Sequence, residues 1–512
     1  MSSSDDSRDD RRYAALKARD PRFDGVFFVG VTTTGIYCRP VCVARTPGRD
    51  RCQFFDEAVQ AEKAGFRACF RCRPEAAPGL APIDARSRMV RAALARVDAG
   101  FLNEGSVETL AAALGVTARH LRRTVSDEVG ASLVEIAQSR RIAMARRLLA
   151  DSRLSTAEIA FASGFRSVRR FNALFAQRFG RAPSRFRPRG AARAKAGAPV
   201  AEASLVLRLP FRPPFHWRDL LAFLGARAIA GVEAVSDDIY RRTARFGDDV
   251  GIIQVSMDPR GASLRAAIST GLVDHLMKIV VRLRALFDLD ARPDLVGQHL
   301  AGDASLSRFV RDLPGLRLPG AFEPFEASVR AILGQQISVR AAATLVGRLV
   351  ARFGKPFAPV GDAPLTHTFP TARELAAVGV PALASLGLPA TRAATLQSLA
   401  ELFTSAEFLR AFETGERAEV TRRLKEVRGI GDWTAEYVAM RALHDPDAFP
   451  AGDLGILKAL GGMTPKAASL RAEAWRPWRA YAVMHLWSSL GVQQDSSPPS
   501  IAIASANERE AI

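Results

Sequence analysis

Apolar and polar positions follow different rhythms along the chain. From Leu205 the run LVLRLPF sets apolar residues at every second position, the period of a half-buried strand, and GIIQVSMD (251–258) repeats it. Between Leu272 and Phe287 the spacing becomes helical, so this stretch closes an α+β unit, and from about Pro293 to Gly491 the pattern is almost wholly helical. Upstream, VETLAAALGVTARHLRRTVSDEVG (107–130) reads as a short apolar helix, a Gly-Val turn and an Arg-rich second helix. STAEIAFASGFRSVRRFNALFAQRFG (155–180) repeats this with Gly164-Phe165 at the turn, and SLVEIAQSRRIAMARRLLADS joins the two as a long amphipathic helix. The spacing is that of a helix-turn-helix, whose second helix enters the major groove of DNA.

A chain of 512 residues is too long for one core, and the composition shifts divide it. The reading is a multidomain, mainly α protein. Residues 1–80 are rich in Cys and turns and form a small α+β domain. Residues 84–188 are an all-α double helix-turn-helix domain, and RGAARAKAGAPVAEA (189–203) is a low-complexity linker. Residues 204–292 form an α+β subdomain, 293–495 an all-α domain, and 496–512 a disordered tail. The linker predicts two halves that act independently.

Lys and Arg number 72 against 53 Asp and Glu, a formal charge of +19, which points to a polyanionic partner such as DNA or to a generally basic proteome. The start MSSSDDSRDDRRY is polar, unlike a signal peptide, and no run of about 20 apolar residues is present. The expectation is a cytoplasmic, nucleoid-associated protein with no membrane contact. The five cysteines, 38, 42, 52, 69 and 72, are an odd count that argues for reduced thiols rather than a disulfide framework.

Cys38-x3-Cys42 and Cys69-x2-Cys72 are two close pairs whose four thiolates suit one tetrahedral Zn²⁺. On spacing alone a purely structural ribbon is the commoner use, and Cys52 reads as a spare core thiol. TTTGIYCRPVC and GFRACFRCRPE, however, closely resemble the N-terminal domain of the Ada-type methyl-response proteins over residues 10–76. That resemblance implies that Cys38 is both ligand and nucleophile, accepting a methyl group irreversibly from a DNA methylphosphotriester. It further implies that Thr34, Arg39, Arg45 and Arg67 hold flanking phosphates; otherwise each Arg is a solvated surface charge.

The paired helix-turn-helix units, followed by FGRAPSRFR, resemble the AraC-type DNA-binding domain. Arg119, His120, Arg122 and Arg123 are candidates in the first recognition helix, and Ser167, Arg169, Arg170 and Asn172 in the second. Each suits a phosphate contact better than base readout. The implied partners are promoter DNA and RNA polymerase.

LKEVRGIGDWTAEYVAMRAL (424–443) sets Gly429 and Gly431 between two helices, the helix-hairpin-helix pattern, whose backbone N–H groups grip phosphates and whose carbonyls can hold a monovalent cation. FPAGDLGILKAL follows in the order of the base-excision glycosylase superfamily, with Asp453 at the position of the catalytic carboxylate. Taken alone, Asp453 reads as the N-cap of the next helix, and both roles can hold together. Trp433 stands where lyase-active relatives carry a Schiff-base lysine, so the resemblance implies hydrolysis without an imine. No cysteine follows Cys72, which removes the ligands of an iron–sulfur cluster and the nucleophile of an O6-alkylguanine acceptor.

The likeness over about 204–491 is to the AlkA-type DNA-3-methyladenine glycosylases, including GMTPKAASLRAEAWRPWRAYAVMHLW (462–487). It implies that Trp433, Tyr437 and Trp487 line an aromatic cleft suited to cationic methylpurines, with ordinary core packing as the alternative. Gln336 replaces the family's leucine wedge, and Gly452 replaces a second acid. The overall reading is a monomeric fusion of methyl acceptor, regulator and monofunctional glycosylase acting on double-stranded DNA. Its rival is a transcription factor whose glycosylase half only grips DNA.

Overall fold

The computed structural model describes residues 3–79, 87–152, 154–187, 204–357 and 364–495. The expected linker at 189–203 and tail at 496–512 lie outside the described residues.

The N-terminal unit packs helix Ser3–Ala18 with a four-stranded sheet in the order Cys52–Phe55, Phe28–Val31, Ile36–Cys38, Arg67–Ala68. Three strands pair antiparallel. The last joins Ile36–Cys38 in parallel, with Tyr37 opposite Ala68. That register sets Cys38, the last residue of its strand and opposite Val29, beside Cys69, which follows the parallel strand, and the Cys69 N–H donates to the Tyr37 carbonyl at 3.0 Å.

The next unit contains Val107–Ala113, Ala118–Val129, Leu133–Asp151, Thr156–Ala162 and Val168–Phe179. Each start is capped: Ser106, Thr117, Ser132, Ser155 and Ser167 accept from the backbone N–H three residues on. Leu121, Val125 and Val129 face inward from Ala118–Val129, and Phe171, Phe175 and Phe179 from Val168–Phe179. These i, i+4, i+8 stripes leave the arginine faces in water.

Beyond the linker lies a five-stranded antiparallel sheet, in the order Ser204–Pro210, Ser263–Ser269, Asp249–Met257, Ile239–Phe246, Glu233–Ser236. The halves expected to act independently are packed against each other. Leu148, Phe171 and Phe175 of the helix-turn-helix unit share one hydrophobic cluster with Leu205, Ile268 and Leu272 of this sheet unit. Arg212, 1% exposed, donates to the carbonyls of Asp24 (3.0 Å), Gly79 (2.6 Å) and Asp290 (2.8 Å), so one guanidinium ties three segments together. Arg208 bridges Asp151 and Asp258 at 2.8 Å each.

The remainder is helical, apart from a small hairpin of Lys355–Pro356 with His367–Thr368. It folds around two apolar clusters. One gathers Val329, Leu349, Leu396 and Leu424; the other gathers Leu300, Met440, Ile456 and Trp475. Tyr437 packs against both, which places it on the seam between the two lobes.

Candidate functional sites

The first site forms where the two strand ends leave the N-terminal sheet. The sulfurs of Cys38, Cys42, Cys69 and Cys72 all lie within 4.8 Å of one another, the first three buried and Cys72 partly so. Four thiolates at about 2.3 Å from one ion stand roughly 3.8 Å apart, so this donor set fits tetrahedral zinc. Hydrogen bonding to Cys42 pushes the Cys38 thiol up, while hydrogen bonding to Cys38 brings Cys42 down to about 6. Four crowded sulfurs resist shared ionisation, and a dication removes that opposition. The Cys42 N–H donates to the Arg39 carbonyl (3.1 Å) and the Arg39 N–H to Cys72 Sγ (3.4 Å), fixing both knuckles. Cys52, which donates to the Gly48 carbonyl at 3.2 Å, is not among the four clustered sulfurs.

Of the four residues expected to hold phosphates there, Thr34, Arg45 and Arg67 are exposed. Arg39 departs from that expectation. Its guanidinium pairs with Asp24 and donates to the Cys72 carbonyl at 3.1 Å, so it braces the cysteine site. In the recognition helices Arg119, His120, Arg122, Arg123, Arg169, Arg170 and Asn172 are all exposed, with Arg122 paired to Glu108. Ser167 is exposed too, but its hydroxyl is occupied as an N-cap.

The second site sits on the seam of the helical lobes. Helices Arg417–Glu426 and Asp432–Arg441 flank the hairpin of Gly429 and Gly431. Gly429 has φ +96°, and a Cβ there would collide with the Thr395 side chain, so both conformation and space call for glycine. Gln335 Nε2 donates to the Gly429 carbonyl (2.9 Å) and to Thr434 Oγ1 (2.8 Å), and Thr395 Oγ1 donates to the Arg428 carbonyl (2.8 Å). Gln336, exposed and with φ +60°, stands at the adjoining turn between Pro324–Leu333 and Val339–Phe353.

A cavity of about 380 Å³ opens beside the hairpin, lined in part by Trp433, Tyr437, Asp453 and Trp487. The Trp433 and Tyr437 rings stack with centroids 5.4 Å apart, and Tyr437 lies 6.3 Å from Trp487. Asp453 is the N-cap of Leu454–Ala459: Oδ1 accepts from the Ile456 N–H at 3.0 Å. Oδ1 also accepts from Trp487 Nε1 (2.9 Å), and Oδ2 from Trp433 Nε1 (3.0 Å). A carboxylate has about four acceptor positions, so these three donors fix it in place and leave one open, on Oδ2. Gly455 makes room for this arrangement, because a Cβ there would sit 3.2 Å from Trp487 Cδ1 and 3.0 Å from Asp453 Oδ1. Gly452 is exposed.

Sequence reading missed three further wall residues, Arg227, Arg330 and Arg441. Arg441 was legible in principle. Trp433, Tyr437 and Arg441 recur every fourth residue, on one helical face, and Arg441 donates to the Tyr437 hydroxyl at 3.2 Å. With Arg227 and Arg441 beside it, the Tyr437 phenol titrates below its ordinary range despite burial, which alone would raise it.

Comparison with known proteins matches four stretches of the chain to described families. Residues 11–75 match the metal binding domain of Ada, and 110–189 a helix-turn-helix domain. Residues 206–323 match the AlkA N-terminal domain, and 329–480 the HhH-GPD superfamily of base excision DNA repair proteins. The chain is similar to the probable bifunctional transcriptional activator/DNA repair enzyme AlkA of Mycobacterium tuberculosis, 40% identical over 97% of this chain and 99% of that protein. It is similar to DNA-3-methyladenine glycosylase 2 of Escherichia coli, 36% identical over 56% of this chain and 99% of that protein. Over 14% of this chain and 20% of the other, it is 51% identical to the bifunctional transcriptional activator/DNA repair enzyme Ada of Escherichia coli.

Proposed function

Because the chain belongs to the family of bifunctional transcriptional activator/DNA repair enzymes represented by AlkA, we propose that it couples two DNA-repair chemistries to a DNA-binding regulator. The C-terminal half is a monofunctional DNA glycosylase that hydrolyses the bond between deoxyribose and an alkylated base of the 3-methyladenine type. The observation that carries this reading is Asp453, held by two tryptophan N–H groups at the wall of a base-sized cavity beside the hairpin.

Breaking the glycosidic bond builds positive charge on the sugar, and a fixed carboxylate stabilises that charge without reorganising. The open acceptor position of Asp453 can meet the sugar or orient the attacking water. The hairpin amides would grip the backbone, the flipped base would stack against Trp433, Tyr437 and Trp487, and Gln336 would enter the gap left in the duplex. With tryptophan at position 433, no amine stands there to form an imine, so release is hydrolytic and the strand stays intact. Arg428 and Gly429 carbonyls keep a second lone pair each and could contribute to a monovalent cation site.

In the N-terminal half, zinc bound by Cys38, Cys42, Cys69 and Cys72 would keep the sulfurs deprotonated at neutral pH. Cys38 Sγ then attacks the methyl carbon of a methylphosphotriester; the C–O bond breaks and its electron pair stays on the phosphate as an ordinary diester. Cys38 keeps the methyl, so each molecule reacts once. Thr34, Arg45 and Arg67 would hold neighbouring phosphates while Arg39 braces the site. Losing one thiolate charge lowers repulsion from the backbone, which strengthens promoter binding through Arg119, Arg122, Arg123, Arg169 and Arg170. The protein would then act, as a monomer, on RNA polymerase at promoters within the bacterial nucleoid. Among the described residues no helix is long and apolar enough to cross a membrane.

The test is release of free base from methylated duplex DNA by the full chain. Release supports the reading, and DNA binding without release favours the inert, DNA-gripping alternative.

A further inference from the structure

Three guanidinium groups line the cavity that holds Asp453, and two of them are held by carboxylates or by two backbone carbonyls. Arg330 pairs with Glu233 and Glu326 and donates to the Arg227 carbonyl at 2.8 Å. Arg441 donates to the carbonyls of Pro319 (2.6 Å) and Gly320 (3.2 Å) and to the Tyr437 hydroxyl.

Arg227 differs. It follows helix Trp217–Gly225, with its guanidinium carbon 3.7 Å from the centroid of the Phe223 ring, and it is partly exposed. Its partners are the Phe223 carbonyl (3.1 Å) and the Tyr437 hydroxyl. A guanidinium carries five N–H donors, so these two partners leave donors available to a group that enters the cavity. Desolvation pulls the group below the ordinary guanidinium range, as expected for a cation without a bonded carboxylate.

We propose that Arg227 is a specificity-determining residue that donates to a keto oxygen or ring nitrogen of the flipped base. It thereby favours neutral bases that present an acceptor over cationic alkylpurines. The inference rests on the glycosylase reading and deepens it. When the bond between C1′ and the base nitrogen breaks, its electron pair leaves with the base. A neutral base departs with negative charge developing on it, which Arg227 meets directly; hydroxide from water adds to C1′ and the remaining proton ends on the base. A cationic base departs neutral, and the proton goes to solvent. Such a base gains nothing from Arg227 on leaving and is repelled by it on entering. Arg227 keeps its own proton throughout. The aromatic wall and Asp453 favour cations, so Arg227 works against that preference and broadens the range of bases accepted.

The experiment compares the wild-type full chain with Arg227→Met and Arg227→Lys in single-turnover excision at saturating enzyme. One duplex contains 7-methylguanine, which is cationic, and the other hypoxanthine, which is neutral with a keto oxygen. Methionine keeps the apolar stem on Phe223, and thermal unfolding checks the fold. The expected result is a loss of about tenfold or more on hypoxanthine with Arg227→Met, about 1.4 kcal/mol. The 7-methylguanine rate stays unchanged or rises, and Arg227→Lys restores part of the lost selectivity. Equal losses on both bases, or no change on either, would overturn the proposal. If Arg227→Met does not fold, the Lys variant decides by the same ratio: a fall in the hypoxanthine to 7-methylguanine ratio supports it and a constant ratio overturns it. Failure of the wild type to release either base would instead refute the glycosylase reading itself.

Discussion

Trp487 Nε1 donates to Asp453 Oδ1 at 2.9 Å, the same oxygen that caps helix Leu454–Ala459. The aromatic wall and the carboxylate are therefore one rigid unit. Trp433 completes it from the hairpin helix, so the element proposed to grip DNA also positions the proposed catalytic group.

Trp487→Phe keeps a ring in the wall and deletes this donor. A hydrogen bond to a charged group contributes about 1.5–3 kcal/mol, so excision should slow roughly 10- to 100-fold if that bond acts fully in the transition state. Single-turnover rates check this. An unchanged rate would mean that Ile456 and Trp433 hold Asp453 sufficiently without Trp487.

Gln336 should be a modest wedge. Its amide gains less than a leucine from leaving water but can hydrogen-bond the widowed base. Gln336→Ala is expected to reduce excision by less than about tenfold, within the range of one ordinary hydrogen bond. A thousandfold loss would make Gln336 indispensable and contradict that view.

Metal removal should act on the N-terminal unit first. Isolated full chain should carry one Zn²⁺, and chelation should make four further thiols reactive while lowering the unfolding temperature. Cys38→Ser should abolish the gain of about 14 Da that follows exposure to methylphosphotriester DNA. A zinc-free chain that unfolds unchanged, or a mass gain that persists in Cys38→Ser, would contradict the assignment.

Arg212→Met should loosen the two halves. Three buried carbonyls lose their shared donor, and leaving buried acceptors unmet costs about 1–3 kcal/mol each before relaxation. Calorimetry should resolve two unfolding transitions where the wild type shows closer coupling. A single unchanged transition would show that the shared apolar cluster alone holds the halves.

Much of the candidate chemistry was legible because it depends on local order. The cysteine pairs, the Gly429–Gly431 hairpin and Asp453 each sit in short segments whose spacing constrains what they can do. The arginines of the cavity were not. Arg227 meets Tyr437 across 210 positions of chain, and an arginine in isolation reads as a solvated charge. Buried arginine also hid part of the fold. In Ile239–Phe246 the inward-facing Arg242, paired with Glu326 at 2.8 Å, breaks the apolar alternation by which a strand is recognised. The low-complexity segment at 189–203 suggested separation because composition reports chain stiffness, whereas docking depends on surfaces such as Phe171 and Ile268 that only tertiary structure brings together.

The central claim is that Asp453 stabilises the cleavage transition state, and its most direct test is the single-turnover release of base by Asp453→Asn. Asparagine keeps the size and the helix cap while removing the charge. The account predicts a fall of at least about 10²–10³-fold, the scale of losing a preorganised electrostatic group, with DNA affinity nearly unchanged. Near-normal excision by Asp453→Asn would contradict it.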